Sequence, residues 1–298
     1  MDAESWNFND LLQKKNINPE HVLVLRHVPK EPQLKKVLPW LAAERPDLFN
    51  AYQQTQGKKL EKVMQTMSGS GYIASFIGQE SLKAMYVGLY SIGESKRLTY
   101  DEYWNIPANI ALKDYGVKQP TVEEQPTTPL WFELALTDFY SFWKGKLIVN
   151  WPPPGIAWWH HAHQCEIPIH AILEDSELTT MPEWNDVDLT WEQLGVLPMS
   201  WKSALSQWRG IYYIFDTSDR KGYVGSAYGE FNLLRRWLNY ADSGDGGDRL
   251  LQQRDHLNFR FTILERVSPD MKSKDVIALE ESWKQRLHTH KPYGLNIN

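Results

Sequence analysis

The sequence of 298 residues contains a single cysteine, Cys165, so no disulfide can form within the chain. No apolar stretch approaches the ~18 residues that a membrane-spanning helix needs. The first residues, MDAESWNFNDLL, lack the basic region and apolar core of a signal peptide. Glycine (18) and proline (17) are too scarce for a fibrous repeat or a mainly disordered chain. We therefore expect a globular, cytoplasmic protein with no membrane partner.

The charges are distributed unevenly along the chain. Residues 1–200 carry 17 Lys and Arg against 25 Asp and Glu, whereas residues 201–298 carry 15 against 12. The formal balance therefore changes from −8 to +3 within an overall net charge of −5. Because Lys and Arg displace the counterions of nucleic acids, we expect any phosphate contacts in the C-terminal third. An imbalance of this size also arises by chance, so charge alone decides nothing.

Residues 1–200 have the patterns of a β-rich α+β domain. A helical pattern over 34–55 is interrupted by Pro39 and Pro46. The segment 130–143 fits either a strand or a buried helix. Strands are predicted over 21–28, 71–78, 84–93, 146–151 and 166–173, with 71–78 and 84–93 paired. This domain is the candidate for DNA recognition.

Residues 205–298 predict a second, smaller α/β module, preceded by a short helix over 199–209. GIYYIFD, TSDRKG and YVGSA read as a strand, a turn and a partner strand, which together form a hairpin. A helix over 231–241, a flexible DSGDGGD loop, a strand over 258–267 and a helix over 275–290 follow. The element order is ββααβα, with an extended tail GLNIN.

A set of polar residues recurs through this module in a fixed order. Antiparallel pairing of the hairpin places Tyr212 close to Tyr223, although each tyrosine alone is also compatible with ordinary strand packing. Arg236 precedes a tryptophan on the next helix, Glu280 stands three residues before another on the last helix, and Asn296 lies in the tail.

These residues resemble the motifs of the GIY-YIG endonuclease superfamily, over about residues 210–298. The resemblance implies that Tyr212 and Tyr223 are the motif tyrosines, Arg236 the helix arginine, Glu280 the metal-binding carboxylate and Asn296 the terminal asparagine. Glu281 is an ambiguous neighbour of Glu280, because a helical register can slip by one. Tyr240 stands four residues after the arginine, where many members carry histidine, so the chain resembles the tyrosine variant.

The implied reaction is hydrolysis of a phosphodiester bond in DNA, for which these residue types are suited. One carboxylate can hold a single Mg²⁺ (or Mn²⁺) that keeps most of its waters. Arg236 supplies a charged fork for phosphate oxygens. The positive charges of an arginine and a metal favour the deprotonated form of a nearby tyrosine, which can then accept a proton from water. Tyr212 is therefore the first choice of base, and Tyr223 is its positioning partner. Lys221 either lowers a tyrosine pKa or is a solvated turn residue, and Ser226 either binds phosphate or ends its strand.

The signals in residues 1–200 are less specific. In an extended strand, His161, His163 and Cys165 would share a face that could hold zinc, but this spacing is uncommon for zinc and no second cysteine exists, which favours packing. Eleven of the 14 tryptophans lie at or before residue 201. This surplus suits either a pocket that stacks an extruded base or plain core packing. Residues 60–170 are weakly similar to PUA-like barrels, which include readers of modified bases.

We expect a metal-dependent DNA endonuclease of the restriction type, a hydrolase that defends against foreign DNA, with modification-dependent cleavage at modified cytosines as the sharper hypothesis. One catalytic centre cuts one strand, so a double-strand break requires a homodimer or two successive nicks. A repair nuclease that nicks distorted DNA would share the same catalytic residues. A homing endonuclease would usually carry a basic arm, whereas residues 1–200 are acidic. A non-catalytic nucleic-acid reader is the alternative from a different class.

Overall fold

A computed structural model describes residues 6–80, 82–118, 130–228, 232–243, 251 and 253–297. The chain divides into two compact units, Met1–Leu178 and Thr179–Asn298. No helix among the described residues is both long and apolar enough to cross a membrane. The described α-helices are α1 (Phe8–Lys14), α2 (Pro32–Glu44), α3 (Pro46–Gln53), α4 (Lys58–Thr66), α5 (Tyr100–Trp104), α6 (Pro107–Lys113), α7 (Trp191–Gly195), α8 (Met199–Gln207), α9 (Leu233–Ser243) and α10 (Ser273–Arg286).

The described strands belong to two sheets, one in each unit. They are β1 (Val22–His27), β2 (Tyr72–Gly78), β3 (Lys83–Arg97), β4 (Leu130–Leu136), β5 (Leu147–Asn150), β6 (Trp159–His161), β7 (Ile169–Ile172), β8 (Asp188–Thr190), β9 (Arg209–Asp216), β10 (Lys221–Ala227) and β11 (Phe259–Val267). The predicted α+β class is confirmed.

The sheet of the first unit is mixed, with the order β6-β1-β2-β3-β5-β7 and β4 also paired to β3. Strands β1 and β2 are parallel, and the other pairs are antiparallel. Helix α1 packs Phe8 against Phe76 and Tyr86 of the sheet, with ring centroids 5.2 and 5.9 Å apart. The predicted PUA-like barrel is not confirmed, because β6 and β7 lie at the two ends of the described strand order.

The predicted strands of this unit are present, and β2 and β3 pair as expected. The ambiguous segment 130–143 begins as strand β4. Pro46 starts α3 at its first position, where the missing N–H costs nothing, so the predicted break occurs there. Pro39 does not end α2, contrary to expectation: the helix buries Val37, Leu38 and Leu41, and this packing outweighs one lost backbone hydrogen bond.

The extended strand that would align His161, His163 and Cys165 on one face is interrupted, although the rings of His161 and His163 remain 5.5 Å apart. Strand β6 ends at His161, and Ala162–Gln164 form a 3₁₀ turn that takes His163 out of the extended alternation. The Cys165 Sγ lies 3.5 Å from the His161 carbonyl oxygen, and burial raises the pKa of its thiol to about 11. Among the described residues there is no cluster of three or more His, Cys, Asp or Glu suited to a metal, zinc included.

His27 on β1 makes the stability of the first unit depend on pH. Its ring is 5% exposed and contacts Phe49 and Tyr52 edge-on. Burial lowers its pKa to about 4, opposed by a hydrogen bond with Gln53. Below the unfolded pKa of about 6.5 the unfolded chain binds the extra proton, so stability present above pH 6.5 is lost as the pH falls towards 4.

We expect the free energy of unfolding to fall by about 3 kcal/mol between pH 6.5 and 4 through His27. Urea unfolding followed by tryptophan fluorescence across this range measures the fall. His27→Leu is the control, because it removes the titrating ring and should leave a shallower pH dependence. The same pH dependence in both proteins would contradict the assignment.

The second unit has an antiparallel sheet in the order β10-β9-β11-β8. Pairing of β8 with β11 at Arg260–Thr262 places residues 179–200 in this unit. The predicted boundary between residues 200 and 205 therefore lies inside the second unit. The short segment containing β8 carries no strong strand pattern of its own, because three residues are too few to show alternation.

Helices α9 and α10 pack on opposite faces of this sheet. Trp237 and Tyr240 of α9 contact Tyr212 and Phe261, while α10 contributes Val276 and Trp283 to a cluster with residues of the other face. The described elements follow one another in the order β9, β10, α9, β11, α10, and the full predicted order ββααβα is not confirmed, because residues 244–250 and 252, with most of the predicted DSGDGGD loop, lie outside the described residues. Helix α10 ends at Arg286, four residues earlier than predicted.

Candidate active site

The candidate site lies on β10, the strand at one end of the second unit's sheet. Gly225 pairs directly with Tyr212 of β9, and Tyr223 pairs with Ile214, so the two tyrosines share a face but are diagonal neighbours. The phenol of Tyr212 extends across Gly225, where a Cβ would lie only 2.4 Å from the phenolic oxygen. Only glycine therefore lets the Tyr212 hydroxyl reach this edge of the sheet.

Three tyrosines form a cluster on this face. The hydroxyl oxygens of Tyr212 and Tyr240 are 3.0 Å apart, within hydrogen-bond distance. The rings of Tyr212 and Tyr223 lie 6.2 and 6.3 Å from the ring of Tyr240. Tyr212 and Tyr240 are buried, whereas Tyr223 is half-buried. The structure thus brings Tyr240, four residues after Arg236 on α9, together with both motif tyrosines.

Burial raises the pKa of the Tyr212 hydroxyl above its ordinary value, and the nearby Tyr223 adds to the shift. The hydrogen bond with Tyr240 and the Arg236 guanidinium act in the opposite direction. Burial also raises the pKa of Tyr240 well above its usual range. The effect of Arg236 has the sign expected from the sequence, but desolvation outweighs it, so Tyr212 is protonated at neutral pH unless more positive charge is added.

Glu280 reaches β10 from helix α10 on the other face. Its Oε2 accepts a hydrogen bond from the Ser226 hydroxyl, and its Oε1 pairs with the Lys284 Nζ at 2.8 Å. The side chains of Glu280 and Lys284 are 17% and 14% exposed. Glu281 instead lies 43% exposed and contacts His290 and Gln285. The helical register therefore directs Glu280, and not its neighbour, to β10, the strand that carries Tyr223.

Arg236 lies in α9 one helical turn before Tyr240. The Arg236 guanidinium and the Glu280 carboxylate both influence the pKa of Tyr212, the first lowering it and the second raising it. Groups from the two opposite helices thus act on one hydroxyl. The structure therefore brings Tyr212, Tyr223 and Tyr240 into contact, and the charges of Arg236 and Glu280 lie near enough to shift the pKa of Tyr212.

Asn296, the sixth predicted site residue, contacts backbone. Its Nδ2 donates to the Val224 carbonyl oxygen at 2.8 Å, and its Oδ1 accepts from the Val224 N–H at 3.0 Å. The Leu295 N–H also donates to the Gly222 carbonyl oxygen. The tail therefore follows β10 from Gly222 to Val224 and fixes the strand beside Tyr223. This is a positioning contact, and a contact of Asn296 with substrate stays a prediction.

Two secondary residues also have defined places. Ser226, for which the sequence allowed a phosphate contact or a strand end, hydrogen-bonds to Glu280. Lys221 lies opposite Asp216 at the turn of the hairpin, and its charge helps to lower the pKa of Asp219, after the larger effect of Arg254. The sequence interpretation missed Lys284, although its spacing of four from Glu280 on a helix is the signal that would have found it.

The residues at this edge fit a hard divalent cation bound through one carboxylate. The ammonium of Lys284 already stands at Glu280 Oε1 in the position of a cation. Mg²⁺ and Mn²⁺ favour carboxylate oxygens, and Mg²⁺ retains several waters when bound this way. Since the described residues include no cluster of three His, Cys, Asp or Glu, water and phosphate oxygens would complete the coordination.

Gly225→Ala tests the close approach of Tyr212 to β10. The added methyl displaces the phenol and breaks its hydrogen bond with Tyr240, so we expect a loss of about 1–3 kcal/mol in the free energy of unfolding. Urea unfolding measures it. Gly195→Ala in α7 is the matched control, because a Cβ there meets no atom within 4 Å. Equal stability of the two variants would contradict the contact.

No protein-family model matches the chain, and no curated protein matches it significantly. Two solved structures align with it. The catalytic domain of homing endonuclease I-TevI is 30% identical over 30% of this chain and 98% of that chain, with a TM-score of 0.26. A mutant form of the catalytic domain of intron endonuclease I-TevI is 28% identical over 31% of this chain and 95% of that chain, with a TM-score of 0.27. Over about a third of its length, the chain is similar to an endonuclease catalytic domain.

Proposed function

We propose that the second unit is a GIY-YIG-type catalytic module that hydrolyses phosphodiester bonds in DNA with the help of Mg²⁺ or Mn²⁺. The observation that carries the proposal is the pair of Tyr212 and Tyr240 hydroxyls beside β10, together with the contact of Glu280 with Ser226 of the same strand and the influence of Arg236 and Glu280 on the pKa of Tyr212. This combination supplies a permanent positive charge, proton-transfer groups and a hard-cation ligand. These are the groups that hydrolysis of an anionic ester requires.

Each side chain has a distinct role in this reaction. Arg236 binds the non-bridging phosphate oxygens, since its fork remains charged at every working pH. Glu280 holds the divalent cation, which supplies Lewis-acid stabilisation of the charge that develops on the phosphate. Tyr212 accepts the proton of the attacking water only where positive charge offsets the burial that raises its pKa. Tyr223 and Tyr240 orient it, and Asn296 fixes β10.

We propose further that the enzyme is of the restriction type and that the first unit recognises DNA bearing modified cytosines. Aromatic side chains support this role, because Trp6, Phe142 and Trp158 are 56%, 65% and 40% exposed on the first unit. Exposed rings of this kind are suited to stacking on bases. The small catalytic module offers little surface for sequence reading, so recognition falls to the larger unit.

Incubation with supercoiled plasmid in Mg²⁺, in Mn²⁺ and in EDTA tests the catalytic proposal. We expect cleavage with either cation and none in EDTA. A nicked intermediate before the linear form indicates successive single-strand cuts, whereas direct linearisation indicates two cooperating protomers. If the protein binds DNA but cleaves no substrate in the presence of either cation, the nuclease proposal is wrong and a non-catalytic nucleic-acid reader is favoured.

A panel of matched DNAs tests the recognition proposal separately. The substrates contain unmodified, methylated, hydroxymethylated or glucosylated cytosines in one sequence. We expect cleavage to depend on the modification. Equal cleavage of all four DNAs would contradict the recognition of modified cytosines. Faster cleavage of distorted or damaged duplexes than of all four would identify a repair nuclease.

A further inference from the structure

Lys284 stands in an unusual place for a helix-surface lysine. Its Nζ lies 2.8 Å from Oε1 of Glu280, one helical turn away, and its side chain is only 14% exposed. The other oxygen of Glu280 accepts the Ser226 hydroxyl. Both carboxylate oxygens therefore already have protein partners, and one of those partners is itself a cation.

This arrangement has a thermodynamic consequence for any divalent ion at Glu280. The ion cannot use Oε1 in its most favourable geometry while the ammonium occupies it, and two cations at this distance repel each other. Binding must therefore include breaking the Lys284 pair. The apparent affinity is then the intrinsic affinity multiplied by the fraction of molecules in which the carboxylate is free of Lys284.

We propose that Lys284 is the resident counter-ion of Glu280, which a divalent cation displaces, and that the displaced ammonium then binds the phosphate of the substrate. The inference rests on the proposed function, since it concerns the same carboxylate. The ammonium stays on α10 beside the site and presents three donors as a compact charge, which suits a phosphate oxygen. DNA therefore promotes metal binding by giving Lys284 a new partner, and without DNA the ion pair weakens metal binding at Glu280.

The experiment measures Mn²⁺ binding to the full chain without DNA, from the loss of the free-ion EPR signal. Lys284→Met keeps the aliphatic stem and removes the charge, and we expect Mn²⁺ to bind it about tenfold more tightly than the wild type. Lys274→Met is the matched control, because it removes an exposed lysine from the same helix and should leave the Kd unchanged. Combining Lys284→Met with Glu280→Gln should abolish the gain.

The cleavage rate of the same variants supplies the second readout. Lys284→Met should cut DNA at least about tenfold more slowly even at saturating metal, because the phosphate loses a cationic partner. Metal affinity and cleavage thus move in opposite directions, which a folding defect would not produce. Unchanged, weaker or absent Mn²⁺ binding by Lys284→Met overturns the counter-ion role, and undiminished cleavage overturns the phosphate contact. If no variant cleaves DNA while the Mn²⁺ pattern holds, the proposed function fails and the counter-ion role stands.

Discussion

Glu280→Gln should lower the cleavage rate at least about 1,000-fold, which corresponds to about 4 kcal/mol in the activation free energy. The amide is nearly isosteric with the carboxylate, so the contact with Ser226 retains an oxygen acceptor. What the substitution removes is the negative charge that holds a divalent cation. Initial rates of plasmid nicking over a range of Mg²⁺ and Mn²⁺ concentrations measure the loss. The defect should persist at high metal concentration, because an amide oxygen is a much weaker ligand for these ions.

Glu281→Gln is the control for this prediction. It makes the same chemical change one residue away, at a carboxylate that is 43% exposed and bonded to His290 and Gln285. We expect its rate to stay within about threefold of the wild type, as for most surface substitutions. Comparable losses in the two variants would reject Glu280 as the metal ligand, and a loss confined to Glu281→Gln would show that the register is displaced by one.

The hairpin and its helices could be predicted from sequence because their signals are local. The strands β9 and β10 have the residue pattern of paired strands, and the turn residues between them mark where the first strand ends. Helices α9 and α10 have apolar residues at helical spacing. The diagonal placement of Tyr223 relative to Tyr212 follows from the pairing of Tyr212 with Gly225. Sequence alone predicts that these tyrosines are neighbours, but the register requires the folded hairpin.

Other features depend on contacts that no local pattern encodes. The assignment of residues 179–200 to the second unit is decided by three pairs between β8 and β11, about 70 positions apart in sequence. The 3₁₀ turn at Ala162–Gln164 interrupts an otherwise strand-like run, so the alternation that the sequence suggested for His161, His163 and Cys165 does not continue. Similarly, the pKa of Tyr212 reflects desolvation by the fold, whereas the sequence suggested only the opposing effect of nearby positive charge from an arginine and a metal.

The site itself shows the same division between local and non-local information. The types and order of Tyr212, Arg236 and Glu280 can be read directly, and the Glu280–Lys284 pair has a helical spacing. The contact of Glu280 with Ser226 cannot be predicted from sequence, because it joins residues of α10 and β10 that are 54 positions apart in the chain. The absence of a side chain at Gly225 allows the Tyr212 phenol to reach this edge.

Arg236→Gln should reduce the cleavage rate about 1,000-fold or more. The side chain lies on the inward half of α9, one turn before Tyr240, and its charge lowers the pKa of the buried Tyr212 hydroxyl. The substitution therefore removes two effects together: a cationic fork for the phosphate in the transition state, and part of the positive charge that the tyrosine needs to release its proton. Single-turnover cleavage at saturating protein isolates this rate from DNA binding.

A comparison among arginine variants separates these two effects. Arg236→Lys retains the charge and loses the planar fork, so we expect it to recover only part of the rate and to remain about 10–100-fold below the wild type. Arg235→Gln removes the adjacent, exposed guanidinium and should alter the salt dependence of DNA binding far more than the single-turnover rate. Raising the pH should partly restore Arg236→Gln, since a higher pH favours the phenolate that the missing charge no longer stabilises. A rate defect independent of pH would show that Arg236 acts on the phosphate and not on the pKa of Tyr212. Equal rate defects in the Arg235 and Arg236 variants would show that both residues make only non-specific contacts with DNA.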